Sequence, residues 1–245
     1  MKVNWNYVKG LLIIALVMFL FGFSNQRNLH QNVNVVDVKF EEGDNLFMDY
    51  EMVNKLLIQN SKPVKNQAKS LIDLNGLEKQ VLSHPMVESV FIFLTVDGQL
   101  KTKVKQRKPI GRIKTKFDSY YIDRLGKKMP LSKNYSARVP IITGVIDENK
   151  MDDMYQLLLS IKKDEFLKKQ IVGIHSNEKN EFDLITRIGD QKIHIGTIEN
   201  LSTKFKNLKA FYNYSMGNKT TDNYSEISLQ YNNQVVCTKK VNNGA

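Results

Sequence analysis

The side chains that most often perform chemistry in proteins are few or unsuitably spaced in this sequence. Its four histidines, His30, His84, His175 and His194, form neither an H-x3-H nor an HExxH pattern, and a single cysteine cannot supply a pair of thiolate ligands. No phosphate-binding loop, dinucleotide-binding glycine pattern or G-x-S-x-G motif occurs. We therefore expect no metal, no cofactor and no small-molecule substrate.

Cys237 and one group of carboxylates are the remaining candidates for reactive groups. Cys237 follows two valines on a predicted strand, where a cysteine is more often a small apolar residue than a nucleophile. Asp147, Glu148, Asp152 and Asp153 cluster where a helix is predicted to begin, and the helix dipole favours negative charge there without any catalysis. We therefore expect that the protein is not an enzyme.

The net charge of +11 is concentrated in one block. Between Leu100 and Lys133 the chain holds twelve Lys and Arg against two Asp, a net +10, whereas the rest is close to neutral. Four of these cations alternate with apolar residues on one predicted strand, so they share one face of a sheet. This basic stripe is either a solvated face or a contact for anionic headgroups or an acidic partner. Its members are Lys101, Lys103, Lys105 and Arg107.

An apolar segment near the N-terminus indicates the compartment. GLLIIALVMFLFGF, residues 10–23, has no polar side chain, and as a helix the longer stretch Val3–Ser24 would cover roughly 33 Å against a hydrocarbon core of about 30 Å. Lys2 and Lys9 precede the segment and Arg27 follows it, a slight bias that favours a cytoplasmic N-terminus. A cleaved signal peptide is the alternative to the retained anchor that we expect. Either way the bulk of the chain leaves the cytoplasm, which argues against nucleic acid as a partner.

After the anchor, the hydrophobic pattern predicts one compact α+β module. A β-branched strand at Val33–Phe40 precedes two amphipathic helices, Tyr50–Gln59 and Leu74–Ser83. A hairpin follows at Met86–Pro109, with Asp97-Gly98 at its turn. The order is therefore strand, helix, helix, strand, strand.

A second module of mixed strands and helices follows Pro109. Its strands are predicted at Ile110–Lys116, Ser119–Asp123, Ile171–His175, Phe182–Arg187 and Lys192–Ile195. A glycine turn is predicted at Arg124–Met129, and RVPIITG, residues 138–144, follows it with Pro140 and Gly144 as punctuation. Amphipathic patterns predict helices at Asn149–Lys163 and Glu199–Tyr214. The fold class is therefore α+β, with one transmembrane helix and a mixed β-sheet domain with flanking helices.

The last predicted hairpin raises the question of what covers its outer edge. YSEISLQYNNQVVCTKK, residues 224–240, reads as two strands joined by Asn232-Asn233. Its own hairpin supplies only one neighbour for the second strand. The other edge would expose unpaired N–H and C=O groups, which can pair with another chain.

Five segments, taken in order, resemble one family of bacterial cell-division proteins, FtsQ and DivIB. The first, PMVESVFIFLTVDGQLKTKVKQRKPIGRI, contains Val104-x-x-Arg107-x-Pro109 and is followed by SYYIDRLGKKMP, with Tyr121, Asp123 and Gly126 at the family's spacing. VPIITG, IHIGTIENLSTKFKNLKAFY and the closing hairpin complete the set. The resemblance implies a cytoplasmic head at 1–9, an anchor at 10–24, a linker at 25–32, a POTRA-like domain at 33–108 and an FtsQ-type β domain at 109–245.

The resemblance also implies a function, that of a single-pass scaffold in cell division and septum assembly. Its extracytoplasmic β domain would receive a strand from a partner similar to FtsB, which pairs with FtsL. Strand addition gives affinity through main-chain hydrogen bonds, and alternate side chains tune specificity. The residues expected to bind this partner are Tyr231, Gln234, Val235, Val236, Cys237 and Thr238.

Two other classes of protein remain as alternatives. A POTRA-bearing component of envelope protein transport or assembly would carry several such modules and many barrel strands, and the sequence predicts one module and few such strands. A secreted envelope enzyme would need a catalytic constellation, and the sequence offers none.

Overall fold

A computed structural model describes residues 5–29, 31–41, 45–59, 61–147, 150–218, 220–231 and 233–240. Among the residues discussed above, Lys2, Val3, His30, Glu148, Asn149 and Asn232 lie outside the described residues. The chain divides into two compact units, Met1–Gln106 and Arg107–Ala245.

The first unit begins with one long apolar helix, α1, at Trp5–Leu29. Its stretch Tyr7–Arg27 is long and apolar enough to cross a membrane, and none of it is buried in the protein. The helix is thus suited to membrane anchoring. It also continues into the residues predicted as a linker, 25–32, since the polar stretch Asn25–Arg27 carries no glycine or proline to end it.

The rest of the first unit has the predicted order of strand, helix, helix, strand, strand. Its main elements are β1 (Val35–Phe40), α2 (Tyr50–Leu56), α3 (Leu74–Leu82), β4 (Val87–Leu94) and β5 (Gln99–Gln106). A short hairpin of β2 (Ile58–Gln59) and β3 (Lys62–Pro63) and a 3-10 turn (Lys69–Leu71) lie between the helices. Helix α2 ends three residues before the predicted Gln59 because the chain enters β2 there.

Local interactions fix the ends of these elements. The carboxylates of Asp49 and Asp73 accept hydrogen bonds from Met52 N and Gly76 N, so they cap α2 and α3. Strand β5 lies between parallel β1 and antiparallel β4 in a three-stranded sheet. The predicted Asp97-Gly98 turn joins β4 to β5, and its glycine has φ +80°.

The second unit is built on one nine-stranded sheet in the order β14-β13-β12-β11-β10-β9-β6-β7-β8. Along the chain its strands are β6 (Pro109–Lys114), β7 (Ser119–Asp123), β8 (Lys128–Met129), β9 (Ile141–Gly144), β10 (Ile171–Ser176), β11 (Phe182–Thr186), β12 (Lys192–Gly196), β13 (Tyr224–Ser228) and β14 (Val236–Lys239). Its helices are α4 (Met151–Lys163), α5 (Glu165–Gln170) and α6 (Leu201–Gly217). The predicted α+β class with a large mixed sheet is confirmed.

The core of this unit lies between the sheet and its helices. Alternate strand residues such as Ile174, Leu184 and Ile193 are fully buried against Leu158 of α4 and Leu208 of α6. Their neighbours point to the opposite face, because strand side chains alternate. The sheet thus has one face under the helices and one face of polar and apolar side chains.

Three predictions for this unit are corrected by the structure. Arg124–Met129 is not only a turn, because Lys128 and Met129 form β8 at one end of the sheet. Helix α5 was not predicted; Asp164 accepts hydrogen bonds from Phe166 N and Leu167 N and starts a new helix after α4. The third correction concerns the closing hairpin.

The prediction of a tight two-residue turn at Asn232-Asn233 is wrong. Strand β13 ends at Ser228, which pairs with Val236, so the connection covers residues 229–235. The reason is burial: Leu229 is only 1% exposed, and its N–H donates to His194 O. The chain therefore continues along β12 before it turns back.

Candidate partner-docking edge

Strand β14 is the last strand of the nine-stranded sheet. It pairs with β13 on one side and, within the described residues, with no strand on the other. The prediction that the final strand is an edge strand is therefore confirmed. An edge of this kind can accept a further strand through its backbone.

Two hydrogen bonds identify which backbone groups face outward. Lys240 N donates to Asn223 O, and the hydroxyl of Ser225 donates to Thr238 O, so residues 238 and 240 direct their backbone groups toward β13. Because these directions alternate along a strand, Cys237 and Lys239 direct theirs to the open edge. The edge thus offers two N–H groups and two C=O groups to an incoming strand.

The side chains of β14 divide between the two faces of the sheet. Val236 is 43% exposed and Thr238 is also exposed, and both lie on the face away from the helices. Cys237 points to the core side, where it pairs with the fully buried Ile227. Specificity contributed by side chains on the outer face would therefore come from Val236 and Thr238.

Three residues expected to bind a partner lie in the connection and not on the strand. Tyr231 is 55% exposed, Gln234 is exposed, and Val235 packs partly against the core. The N–H of Gln234 reaches Tyr231 O at 3.5 Å, closing a turn. The continuous extended segment that the sequence predicted from Gln234 to Thr238 is thus shorter, beginning at Val236.

Tyr231 also lines a polar crevice of about 270 Å³ between α6 and the connection 229–235. Helix α6 contributes Lys204 and Asn207, while the connection contributes Tyr231 and Asn233. Lys204 Nζ donates to Ile195 O at 3.0 Å and to Thr197 O at 2.8 Å, so it fixes the chain between β12 and α6. Partial burial lowers the pKa of this ammonium below its usual range.

The thiol of Cys237 has no reactive environment. Burial raises the pKa of the Cys237 thiol above its ordinary value, which disfavours the nucleophilic thiolate. Its neighbours are apolar core residues, in keeping with the small apolar role that the sequence predicted.

The outer face of the sheet carries a row of one valine and four polar residues whose alignment sequence reasoning missed. Val236, Ser228, His194, Asp183 and His175 lie opposite one another on five successive strands. A hydrogen bond joins His194 Nδ1 to Asp183 Oδ1, while Lys192 Nζ lies 3.0 Å from Asp183 Oδ2. Only the register brings these residues together, so no spacing along the chain could have revealed the row.

The basic stripe lies in the first unit, apart from Arg107. Lys101 and Lys103 point outward from β5 with Lys105, opposite the buried Leu100, Thr102 and Val104, as the sequence predicted. Lys105 Nζ lies 3.8 Å from Glu41 and 3.9 Å from Glu88, so its charge is partly compensated. Of the four, only Lys103 is largely exposed, and the other three are half-buried.

Arg107 has a different environment from the other members of the stripe. Its Nη1 donates to Asp123 Oδ2 at 2.7 Å, and the Asp123 side chain is fully buried. The Arg107 side chain is 16% exposed. Arg107 thus starts the second unit with an internal ion pair.

The histidines and carboxylates form no metal cluster among the described residues. Asp153, at the start of α4, accepts a hydrogen bond from Asn180 Nδ2 at 2.5 Å, and Asp152 joins it in the first turn. His175 Nδ1 lies 3.2 Å from Thr143 Oγ1. Asp153 and His175 are thus hydrogen-bonded to neighbouring side chains.

Residues 108–238 match the model of a protein family described as FtsQ/DivIB, C-terminal related. The match covers more than half of the chain and nearly the whole second unit, from Lys108 to Thr238. The chain belongs to the FtsQ/DivIB family. Membership implies a role in cell division, and proteins of this family are generally non-enzymatic. No curated protein matches the chain.

The structure gives the FtsQ/DivIB motif residues structural roles. Asp123 Oδ1 accepts hydrogen bonds from Leu125 N and Lys127 N, both at 2.8 Å, which closes the turn containing Gly126 at φ +76°. The Tyr121 hydroxyl accepts from Ala137 N at 3.1 Å. The tyrosine–aspartate–glycine spacing therefore organises the β7–β8 turn and the segment that follows it.

Proposed function

We propose that this chain is a membrane-anchored, non-enzymatic scaffold of the cell-division machinery and septum assembly. Helix α1 anchors it with the N-terminus in the cytoplasm and the bulk of the chain outside. The domain at 33–108 acts as a POTRA-like domain close to the membrane. The β domain, 109–245, docks a partner through β14. Membership of the FtsQ/DivIB family supports the process, and the apolar helix supports the anchor.

The open edge of β14 is the observation that carries this proposal. A strand added there extends the sheet and pairs with the outward backbone groups of Cys237 and Lys239. Val236 and Thr238 then lie beside the partner's side chains, at the spacing by which alternate residues tune specificity. Such a scaffold needs no catalytic group, which fits the internal hydrogen bonds of its histidines and carboxylates.

The partners that we propose are small membrane division proteins similar to FtsB and FtsL. A partner similar to FtsB supplies the added strand, and its companion similar to FtsL associates with it. The POTRA-type transport component remains the second class, but no observation on the second unit favours it, whereas the family match covers that unit.

Site-specific photocrosslinking in growing cells tests the docking edge. A photoreactive residue at Val236 should crosslink to one small coiled-coil membrane protein. Lys128, on β8 at the opposite end of the same sheet, provides a matched edge control and should give no such product. Lys103, exposed on the basic stripe, is a second probe.

The outcomes of this experiment separate two locations for the docking site. A crosslink from Lys103 together with no crosslink from Val236 would place partner binding on the basic stripe of the first unit. That result would overturn docking at β14. Equal products from Val236 and Lys128 would also contradict it, because the reaction would then not be specific to one edge.

A further inference from the structure

The end of the first unit nearest the anchor helix exposes two large apolar side chains. Val96, in the turn between β4 and β5, is 81% exposed, and Leu71, in the 3-10 turn, is 68% exposed. We name these two residues and their turns the anchor-proximal tip. Single exposed apolar side chains are common on protein surfaces, so the position of these two relative to the anchor helix carries the argument.

Hydrogen bonds tie the chain that leaves the anchor helix to this tip. Lys69 N donates to Gln31 O at 2.9 Å, and Asn34 N donates to Gly98 O at 2.9 Å. The side-chain amide of Asn34 adds a bond to Asp97 O at 3.0 Å, and Lys69 Nζ donates to Val96 O at 2.9 Å. Both turns of the tip are therefore attached to the first residues after α1.

The length of this attachment limits how far the tip can lie from a membrane. The candidate span ends at Arg27, and α1 continues to Leu29. Residues 28 and 29 continue the helix and add roughly 3 Å along its axis, and two further residues can add at most about 7 Å, so Gln31 lies within roughly 10 Å of Arg27. The headgroup layer on each side of a bilayer is roughly 5–8 Å thick. Gln31 thus lies at or just beyond the headgroups when α1 spans the membrane.

Val96 also lies beside the last turns of the anchor helix. A crevice of about 460 Å³ is lined by Val96, by Gln31 and by residues of α1. The residues of α1 are Phe21, Ser24, Asn25 and Arg27. Val96 is therefore at the level where the candidate span ends.

We propose that the anchor-proximal tip inserts Val96 and Leu71 into the phospholipid headgroup layer of the membrane that α1 spans. This contact holds the first unit against the membrane surface and limits its rotation about α1. The inference rests on the proposed membrane anchoring by α1. Transfer of the two side chains from water to the interface provides the driving force.

Single-cysteine labelling of the full chain in phospholipid vesicles tests this proposal. Cys237 is the only cysteine, so a Cys237→Ala background accepts one new cysteine at a time. An environment-sensitive fluorophore is placed at Val96→Cys or Leu71→Cys. The vesicles contain phosphatidylcholine, phosphatidylglycerol and a lipid with a nitroxide on its headgroup.

Leu82→Cys provides a matched control in the same unit. Leu82 is 47% exposed at the end of α3, shortly before β4 begins, and the length of β4, about 26 Å, separates that end from the tip. We expect blue-shifted emission and nitroxide quenching at Val96 and Leu71, and neither at Leu82. Val96→Asp should reduce the quenching at Leu71, because a carboxylate resists insertion.

A label at Leu16→Cys distinguishes the two ways in which the proposal can fail. Leu16 lies within the candidate span, so a nitroxide on the lipid acyl chain should quench it if α1 is in the membrane. Quenching at Leu16 without quenching at Val96 and Leu71 overturns membrane insertion of the tip alone. Absence of quenching at Leu16 overturns the anchor itself.

Discussion

The Arg107 guanidinium donates to the buried carboxylate of Asp123 across 2.7 Å, joining the first residue of the second unit to the end of β7. Asp123 also holds the β7–β8 turn through two backbone N–H groups. One carboxylate therefore stabilises both the entry of the chain into the β domain and its first turn. Removing one partner of a buried ion pair strongly destabilises the folded state, because the other charge is left without compensation.

Asp123→Asn should destabilise the second unit. An amide in place of the carboxylate turns an N–H group toward Arg107 or toward the turn, leaving a buried group without its partner. We expect a loss of about 3 kcal/mol in the free energy of unfolding, the usual scale for a broken buried pair. Urea unfolding followed by circular dichroism measures it.

The ion pair between Asp118 and Lys128 provides a matched control, since it spans 3.0 Å between two exposed side chains near the same turn. Asp118→Asn should leave the unfolding midpoint unchanged. Equal effects of the two substitutions would show that burial of Asp123 is not what gives the pair its importance.

Cys237→Ala should leave partner docking intact. The outward groups at this position belong to the backbone, and the thiol faces the core. Loss of division activity in a folded Cys237→Ala protein would contradict the assignment of a small apolar role.

The reaction of Cys237 with iodoacetamide should depend on pH in a defined direction. Because burial raises the thiol pKa, the thiolate forms only at higher pH than in a free thiol. The rise of the alkylation rate with pH should therefore occur at a higher pH in the folded protein than in the urea-unfolded chain. Coincident pH profiles would show that burial does not affect the thiol.

Asp164 should make the stability of the second unit sensitive to acid. The hydrogen bond from Lys209 Nζ, with the cap bonds from Leu167 N and Phe166 N, lowers the pKa of this carboxyl in the folded state. A lowered pKa contributes stability above the unfolded value, about 4, and that stability is lost as the pH falls through the folded value.

Asp164→Asn isolates this effect, since asparagine also caps helices but does not titrate. The stability advantage of the wild-type protein over Asp164→Asn should be present at neutral pH and disappear in acid. Urea unfolding at several pH values measures the difference. A difference that stays constant between neutral pH and pH values well below about 4 would contradict the role of Lys209.

Sequence patterns predicted the elements whose burial alternates regularly. Strand β5 is an example, because Leu100, Thr102 and Val104 are buried and the intervening lysines point outward. The edge position of the last strand followed from the absence of a later predicted strand. These features depend on neighbours along the chain.

The features that sequence reasoning missed depend on the register of the sheet. Leu229 is buried because it continues beside β12, and this lengthens the closing connection beyond the Asn-Asn pair. Likewise, the outward direction of the Lys239 backbone follows from where Lys240 bonds to Asn223. Neither contact leaves a periodic signal in the sequence.

The central claim, docking through the open backbone of β14, is tested most directly by partner co-purification with a Lys239→Pro variant. Proline removes one outward N–H and is tolerated on the free side of an edge strand. Lys239→Ala removes the same side chain but keeps the N–H. Both variants should retain the thermal stability of the wild-type protein.

Lys239→Pro should lose the partner similar to FtsB, while Lys239→Ala should keep it. This result would show that binding depends on the backbone of the edge strand. A folded Lys239→Pro protein that retains the partner as well as Lys239→Ala does would contradict docking by strand addition at β14.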